Sequence, residues 1–223
     1  MKVTLEHITK RYQEVTAVDD ITMEFESGKL ICLLGPSGSG KTTLLFLLAG
    51  LLSPDTGKIL FDDIDVTAIL PKERAVGVVF QDFGLFPYQT VEETISFPIE
   101  LQSLTREERA VRVLEIAKLL HIEELLKRKT DTLSAGQKQR VAIGRALAKS
   151  PKLLLLDESL NHLDESLRKE MRKEIRNLQK ELGITMIFVT HSSEEAEMIA
   201  DQIIYMDKGK IAEKKSNKML KEN

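Results

Sequence analysis

The 223-residue sequence predicts an α/β fold: a core of buried parallel strands, an antiparallel β-subdomain beside it and an inserted α-helical subdomain. Three observations point there. Short unbroken apolar runs, Leu30-Ile31-Cys32-Leu33-Leu34 and Leu153-Leu154-Leu155-Leu156, have the composition of strands covered on both faces. A glycine-rich stretch from Gly35 to Gly40 separates the first run from a helix-like segment, Thr43 to Ala49. From Pro87 to about Lys149 the apolar residues change to a helical period.

The elements follow in order. Residues 1 to about 30 alternate strands and turns, including Ser27-Gly28-Lys29, and residues 57 to 66 add Gly57-Lys58-Ile59-Leu60-Phe61; these form the antiparallel layer. Val76-Gly77-Val78-Val79-Phe80 is a further strand run, ending at Gln81. Ala110, Val113, Leu114, Ala117 and Leu120 make one helical stripe, with Glu107-Glu108 near its start. Leu163, Leu167, Met171, Ile175, Leu178 and Leu182 make another, core-facing and too short for sustained heptads. Ile184 to Thr190 is a strand rich in β-branched residues, and a closing hairpin turns at Lys208-Gly209. Residues 1–223 thus read as one domain, with a core and β-subdomain at about 1–86 and 150–223 and a helical subdomain at about 87–149.

Composition narrows the class. At 42% hydrophobic the chain can bury a sizeable core, and it has no apolar stretch near the ~20 residues of a bilayer span. Met1 to Leu5 does not read as a signal sequence. The single cysteine, Cys32, excludes an internal disulfide and fits a reducing compartment. A net charge of −3 without a basic stripe gives no electrostatic case for nucleic acid. Lys214, Lys215, Lys218 and Lys221 read as a solvated tail.

Chemistry enters with Gly35, Pro36, Ser37, Gly38, Ser39, Gly40, Lys41 and Thr42, which match G-x-x-x-x-G-K-[ST] between strand and helix. Glycines let successive N–H groups turn toward phosphate oxygens, and the helix start at Thr42-Thr43 adds partial positive charge. Lys41 would neutralise the β and γ phosphates of ATP, and the Thr42 hydroxyl would hold magnesium. Asp157 and Glu158 end the second apolar run, at the sheet edge where ligands of open α/β sheets bind. Asp157 would reach the magnesium ion, and Glu158 would deprotonate the attacking water. Leu133-Ser134-Ala135-Gly136-Gln137-Lys138-Gln139-Arg140 places a capping serine before a helix from about Gly136 to Lys149.

That last run resembles the signature of the ATP-binding cassette (ABC) ATPases, whose P-loop NTPase (RecA-like) fold carries the helical insertion. The order of phosphate loop, Gln81, signature, Asp157-Glu158 and His191 resembles the same family. The resemblance implies that Gln81 contacts magnesium and water, that His191 contacts the γ-phosphate, and that Tyr12 stacks on adenine with Val18 packing nearby. It also implies a second ATPase subunit: Ser134, Ala135, Gly136 and Gln137 would act on the partner's ATP. Three positions depart from the pattern. Ala135 replaces a glycine and forbids easy positive φ; Ser159 replaces a proline and loosens its turn; Ser192 replaces an aspartate. Asp164 matches the segment through which subunits communicate.

Thr67 to Arg74, Phe80 to Pro87 and Leu167 to Arg172 are similar to ATPases of the maltose, polyamine and ferric-iron importer group. That group continues into a C-terminal regulatory domain; the sequence given stops at Asn223, which fits either a truncated chain or a member that lacks regulation through that domain. The implied function is the ATP-hydrolysing subunit of an importer, on the cytoplasmic face of the membrane through permease subunits. Exporter and lipoprotein-release ATPases share these motifs and stay open at this point. Phe83, Leu85, Phe86 and Tyr88 read either as an exposed groove for a permease helix or as packing between lobes. Cassettes acting on chromosomes, DNA repair or ribosomes need a coiled-coil insertion, zinc-binding cysteines or a second cassette, and the sequence has none.

Overall fold

The computed structural model describes residues 1–100 and 102–216. Lys218 and Lys221 of the expected tail lie outside the described residues. In chain order the strands and α-helices are β1 (Val3–Tyr12), β2 (Val15–Phe25), β3 (Leu30–Leu34), α1 (Lys41–Ala49), β4 (Thr56–Phe61), β5 (Ile64–Asp65), β6 (Val76–Val79), α2 (Val91–Ser96), α3 (Arg106–Leu119), α4 (Ala135–Leu147), β7 (Leu153–Asp157), α5 (Glu165–Leu182), β8 (Thr185–Thr190), α6 (Ser193–Ile199), β9 (Gln202–Asp207) and β10 (Lys210–Ser216).

Two sheets result. The larger has the order β10-β9-β3-β8-β7-β6, parallel except for the β9–β10 hairpin. The smaller, β2-β1-β4-β5, is antiparallel. Along β3, Leu30, Cys32 and Leu34 pack into one core while Ile31 and Leu33 pack into the other. β7 and β8 divide their side chains the same way, as strands buried on both faces must. One core joins the two sheets around α1, whose Leu44, Leu45, Leu47 and Leu48 are all fully buried. The other continues from the parallel sheet into α2–α6. Burial raises the Cys32 thiol well above its ordinary pKa, so it packs as a small apolar residue.

The three inserted helices α2, α3 and α4 each open on a reciprocal capping box: Thr90 with Glu93, Thr105 with Glu108, and Ser134 with Gln137. The α3 stripe differs from expectation. Leu114 is exposed, and the buried set is Val113, Ile116 and Ala117, followed by Leu120. Leu114 is one helical step of about 100° beyond Val113, which carries it out of the packed face.

Arg74 is the buried tie between the phosphate-loop helix and the approach to β6. Its guanidinium donates to Leu47 O and Leu48 O at 2.8 and 3.1 Å, and to Ile69 O and Thr67 O at 2.8 and 2.9 Å. Two of these bonds reach the last carbonyls of α1, where Leu47 O also accepts Gly50 N at 3.1 Å, and two reach the segment before β6. Gly50 leaves room for it: a Cβ there would lie 2.5 Å from Arg74 Nε. Burial lowers the Arg74 pKa, yet guanidinium stays protonated. Arg74→Met should lower unfolding free energy by about 2–4 kcal/mol in a denaturant titration, because the carbonyls would lose their donors inside the fold. An unchanged midpoint would show that water replaces the guanidinium.

Candidate functional site

Because β3, β6, β7 and β8 are parallel, their carboxyl ends share one edge, and each hands over a different side chain. From β3 the chain enters residues 35–40 and then α1. Gly40 has φ 99°, and a Cβ there would lie 2.1 Å from Ala17 O, so the loop is pressed against β2 where only glycine fits. Gly38, at φ 77°, meets nothing within 4 Å and faces open space. The loop is held from behind: Ser39 N donates to Pro36 O at 3.2 Å, and Gly209 N of the β9–β10 turn donates to Ser39 O at 3.1 Å. Gly40 caps α1 with no side-chain bond, which leaves the first-turn N–H groups available to an anion.

Lys41 is almost fully buried, and its ammonium donates to Gly35 O and Pro36 O, both at 2.9 Å. Burial lowers its pKa, opposed by the charges of Glu158 and Asp157. The Thr42 hydroxyl donates to Asp157 Oδ1 at 3.1 Å. Burial raises the Asp157 pKa, with Glu158 adding to the rise and the Thr42 bond and Lys41 opposing it. Glu158 sits at φ 43°, an uncommon conformation for a residue with a Cβ. Its N–H donates to Val189 O at 3.2 Å, and its Oε2 accepts from Asn161 Nδ2 at 2.7 Å. His191 Nδ1 is 3.9 Å from that same Oε2, with the ring 60% exposed. Asn161 is a site neighbour that the sequence pattern does not single out; its only signal is a position three residues after Glu158.

Other expected residues stand apart from this cluster or play a different part. Gln81 is exposed just past β6, separated from β3 by β8 and β7. Tyr12 is half-exposed at the end of β1, with Lys10 Nζ 5.9 Å from its ring centroid. Val18 is fully buried in the core between the sheets, and β2 meets the loop through the Ala17 carbonyl. Of its two readings, Phe83 takes packing. At φ 63° it turns its ring inward, edge-on to His162 at 5.8 Å, so it is not part of an exposed set. Leu85 is half-buried, while Phe86 and Tyr88 are exposed.

The run around Ser134 also differs in detail. Ser134 Oγ accepts from Gln137 N at 3.3 Å, and Ser134 N donates to Gln137 Oε1 at 3.0 Å. The serine hydroxyl proton is not used by that cap and can serve an outside acceptor. Ala135 is the first residue of α4 in ordinary helical geometry, so its methyl imposes no backbone strain. The space at Gly136 is taken by Leu167 of α5, 3.0 Å from a would-be Cβ, so this glycine permits helix–helix approach. Ser159 is fully buried, with its hydroxyl unpartnered. Ser192 keeps a capping role by accepting from Glu195 N at 3.3 Å. Asp164 caps α5, accepting from Leu167 N and Ser166 Oγ, which hold its carboxyl below the usual range.

A phosphate loop on a buried parallel sheet, with acids at the end of a strand two positions away across β8, defines a P-loop nucleotide-binding protein. Residues 18–161 match the ABC transporter family, and the chain belongs to that family as its ATP-binding cassette. It is 46% identical over 211 residues to the spermidine/putrescine import ATP-binding protein PotA of Haemophilus influenzae, covering 95% of this chain and 57% of that protein. To the Fe(3+) ions import ATP-binding protein FbpC of Pasteurella multocida it is 42% identical, covering 98% and 62%. The chain therefore spans less than two thirds of these relatives. Among solved structures, the dimeric MJ0796 cassette of a bacterial ABC transporter superposes with a TM-score of 0.86 at 31% identity, covering 97% of this chain and 99% of that one. CbiO1 from Clostridium perfringens gives 0.88 at 33% identity, covering 98% and 89%.

The charge balance at Asp157 makes a prediction. Its folded pKa lies above the ordinary value near 3.8, so its contribution to stability is full below that value and is lost as pH rises through the raised one. Nucleotide-free Asp157→Asn should therefore melt higher than wild type at neutral pH, with the advantage fading as pH falls toward 4. An advantage that is constant with pH would mean that ionisation is not its source.

Proposed function

We propose that this chain is the ATP-hydrolysing subunit of an ABC importer, working as a pair around two ATP molecules and driving permease subunits at the cytoplasmic face of a membrane. The observation that carries the reading is the assembly of Lys41, Thr42, Asp157, Glu158 and His191 at one sheet edge. Its likeness to PotA and FbpC, both named for import, favours import over export. A second MJ0796 structure, a dimer of that cassette in a post-hydrolysis state bound to ADP and Pi, supports pairing and turnover.

In this reading Lys41 exchanges its two carbonyl partners for β and γ phosphate oxygens, while the Gly38 side of the loop lies open to the phosphates. The donor set fits magnesium: a threonine hydroxyl and a carboxylate already adjacent, with Gln81 as a third oxygen donor. Among the described residues no cluster of three or more His, Cys, Asp or Glu could hold a metal. When bound, magnesium would neutralise phosphate charge. Glu158, positioned by Asn161, takes a proton from the attacking water, and His191 holds water and γ-phosphate in line. Tyr12 stacks on adenine. Ser134 to Gln137 present the first turn of α4, with the spare serine proton, to the ATP of the partner subunit.

We assign the permease contact to a groove of about 420 Å³ that includes Val76, Val78, Phe86, Phe97 and Pro98, where the Phe86 and Phe97 rings meet edge to face at 5.9 Å. Of the neighbouring residues in sequence, Leu85 packs against the helical core and Tyr88 is exposed. Among the described residues no helix is long and apolar enough to cross a membrane.

Glu158→Gln should reduce ATP turnover by about 10²–10⁴-fold while still binding ATP, and light scattering should then record a dimer only with ATP present. Wild-type turnover in this variant would sink the assignment of the base. In the reconstituted transporter, Phe86→Ala should weaken assembly with the permease and leave ATP affinity unchanged; loss of ATP binding instead would place Phe86 in lobe packing.

A further inference from the structure

The end of β8 is tied to two helices by polar groups that the proposed chemistry does not use. Thr190, its last residue, is buried; its hydroxyl donates to Glu195 Oε2 and its oxygen accepts Ser192 N at 3.1 Å. Glu195, on α6, is 2% exposed. Its Oε1 lies 3.3 Å from Arg172 Nη2 and 3.7 Å from Arg168 Nε, both on α5. Arg172 is 1% exposed and is the bulkiest fully buried side chain among the described residues. The remaining groups facing its guanidinium are Glu165 at 3.5 Å, Glu194 at 3.6 Å and Met198 Sδ at 3.3 Å. An ion pair sunk this deep is a weak source of stability, since desolvation offsets its attraction. Its value must lie in the geometry it holds.

That geometry concerns His191. Thr190 precedes it and Ser192 follows it, and both are bonded into the network, the latter also through Ser192 Oγ accepting Glu195 N. The backbone is pinned on either side of an imidazole that is itself 60% exposed and 3.9 Å from Glu158. The pins lead to α5, which starts where the segment from Glu158 to Asp164 ends.

We propose that Thr190 and Glu195, anchored by Arg172, are positioning residues that set the His191 imidazole against Glu158 and register it to α5. The inference rests on the reading that His191 acts in hydrolysis.

The test is a double-mutant cycle on the full chain. Thr190→Val keeps the volume and the ion pair but removes the hydroxyl; Thr190→Ser restores it. ATP turnover is measured for both, for His191→Ala and for His191→Ala/Thr190→Val, with melting temperature and ATP affinity alongside. Thr190→Val should lose about ten-fold or more in kcat, with KM for ATP changed by less than about two-fold, and Thr190→Ser should recover most of the rate. In the His191→Ala background Thr190→Val should cost less than about two-fold further, because the group it positions is gone. Losses that multiply would show Thr190 acting independently of His191 and would overturn the proposal. So would wild-type turnover in Thr190→Val beside a slow His191→Ala, which leaves the role of His191 standing. A fast His191→Ala would instead remove the reading on which the proposal rests. Should Thr190→Val fail to fold, Glu195→Gln, which preserves shape, is placed in the same cycle with the same expectations.

Discussion

The steric confinement of the chain as it leaves β3 governs the rest of the molecule. This strand has a neighbour on each edge and a core on each face, and α1, which follows within a few residues, is buried between the two sheets. Residues 35–40 must reverse in the space between those obligations, and the backbones of β2 and β9 close it from outside. A Cβ at Gly40 would strike Ala17 O, and one at Gly35 would strike Met206 O, each at 2.1 Å. Gly38 faces open space, and Pro36 and Ser37 beside it are exposed. The phosphate cradle is therefore the shape left over when a buried strand, a buried helix and two neighbouring strands are fitted together.

The same confinement sets the electrostatics. Lys41 and Asp157 are brought to a site where burial works against both charges. Glu158 adds a left-handed backbone, which in a residue with a Cβ stores roughly 1–3 kcal/mol, stabilised here by the hydrogen bond to the Val189 carbonyl. A phosphorylated ligand with its cation relieves the first of these penalties by giving each charge a partner. The surrounding apolar cores carry the strain until then.

How much of this the sequence disclosed follows from where backbone geometry is regular. The apolar runs of β3, β7 and β8 and the motif between β3 and α1 were legible because both faces are buried and periodicity leaves nothing to decide. The faces of β1 and β2 were harder to read, because the two strands pair with repeated register shifts and each shift exchanges the inward and outward faces. Phe83 stayed open between groove and packing because nothing in an alternation pattern encodes the positive φ at which its ring is buried. At Gly136 the glycine was visible but its neighbour was not, since Leu167 arrives from a different helix. The starts of α2 and α3 were within reach: Thr90-x-x-Glu93 and Thr105-x-x-Glu108 are capping signatures in the sequence itself.

The helical half bears on the site through α5 more than through its own helices. Close packing of Gly136 on Leu167, and Arg140 paired with Glu170 and Glu174, fasten α4 to the first half of α5. On the same helix, Arg172 and Arg168 fasten α5 to Glu195 and so to the strand end that precedes His191. The segment bearing the signature and the turn bearing the histidine thus share one reference element, although they are far apart in sequence. If the signature answers to the ATP of a second subunit, a displacement of α4 on closure reaches the chain's own histidine through side chains already in contact. A residue larger than glycine at 136 would disturb that registration without touching any phosphate. For such a helix pair, close approach of backbones matters more than the identity of residue 135, which explains how alanine stands there without strain.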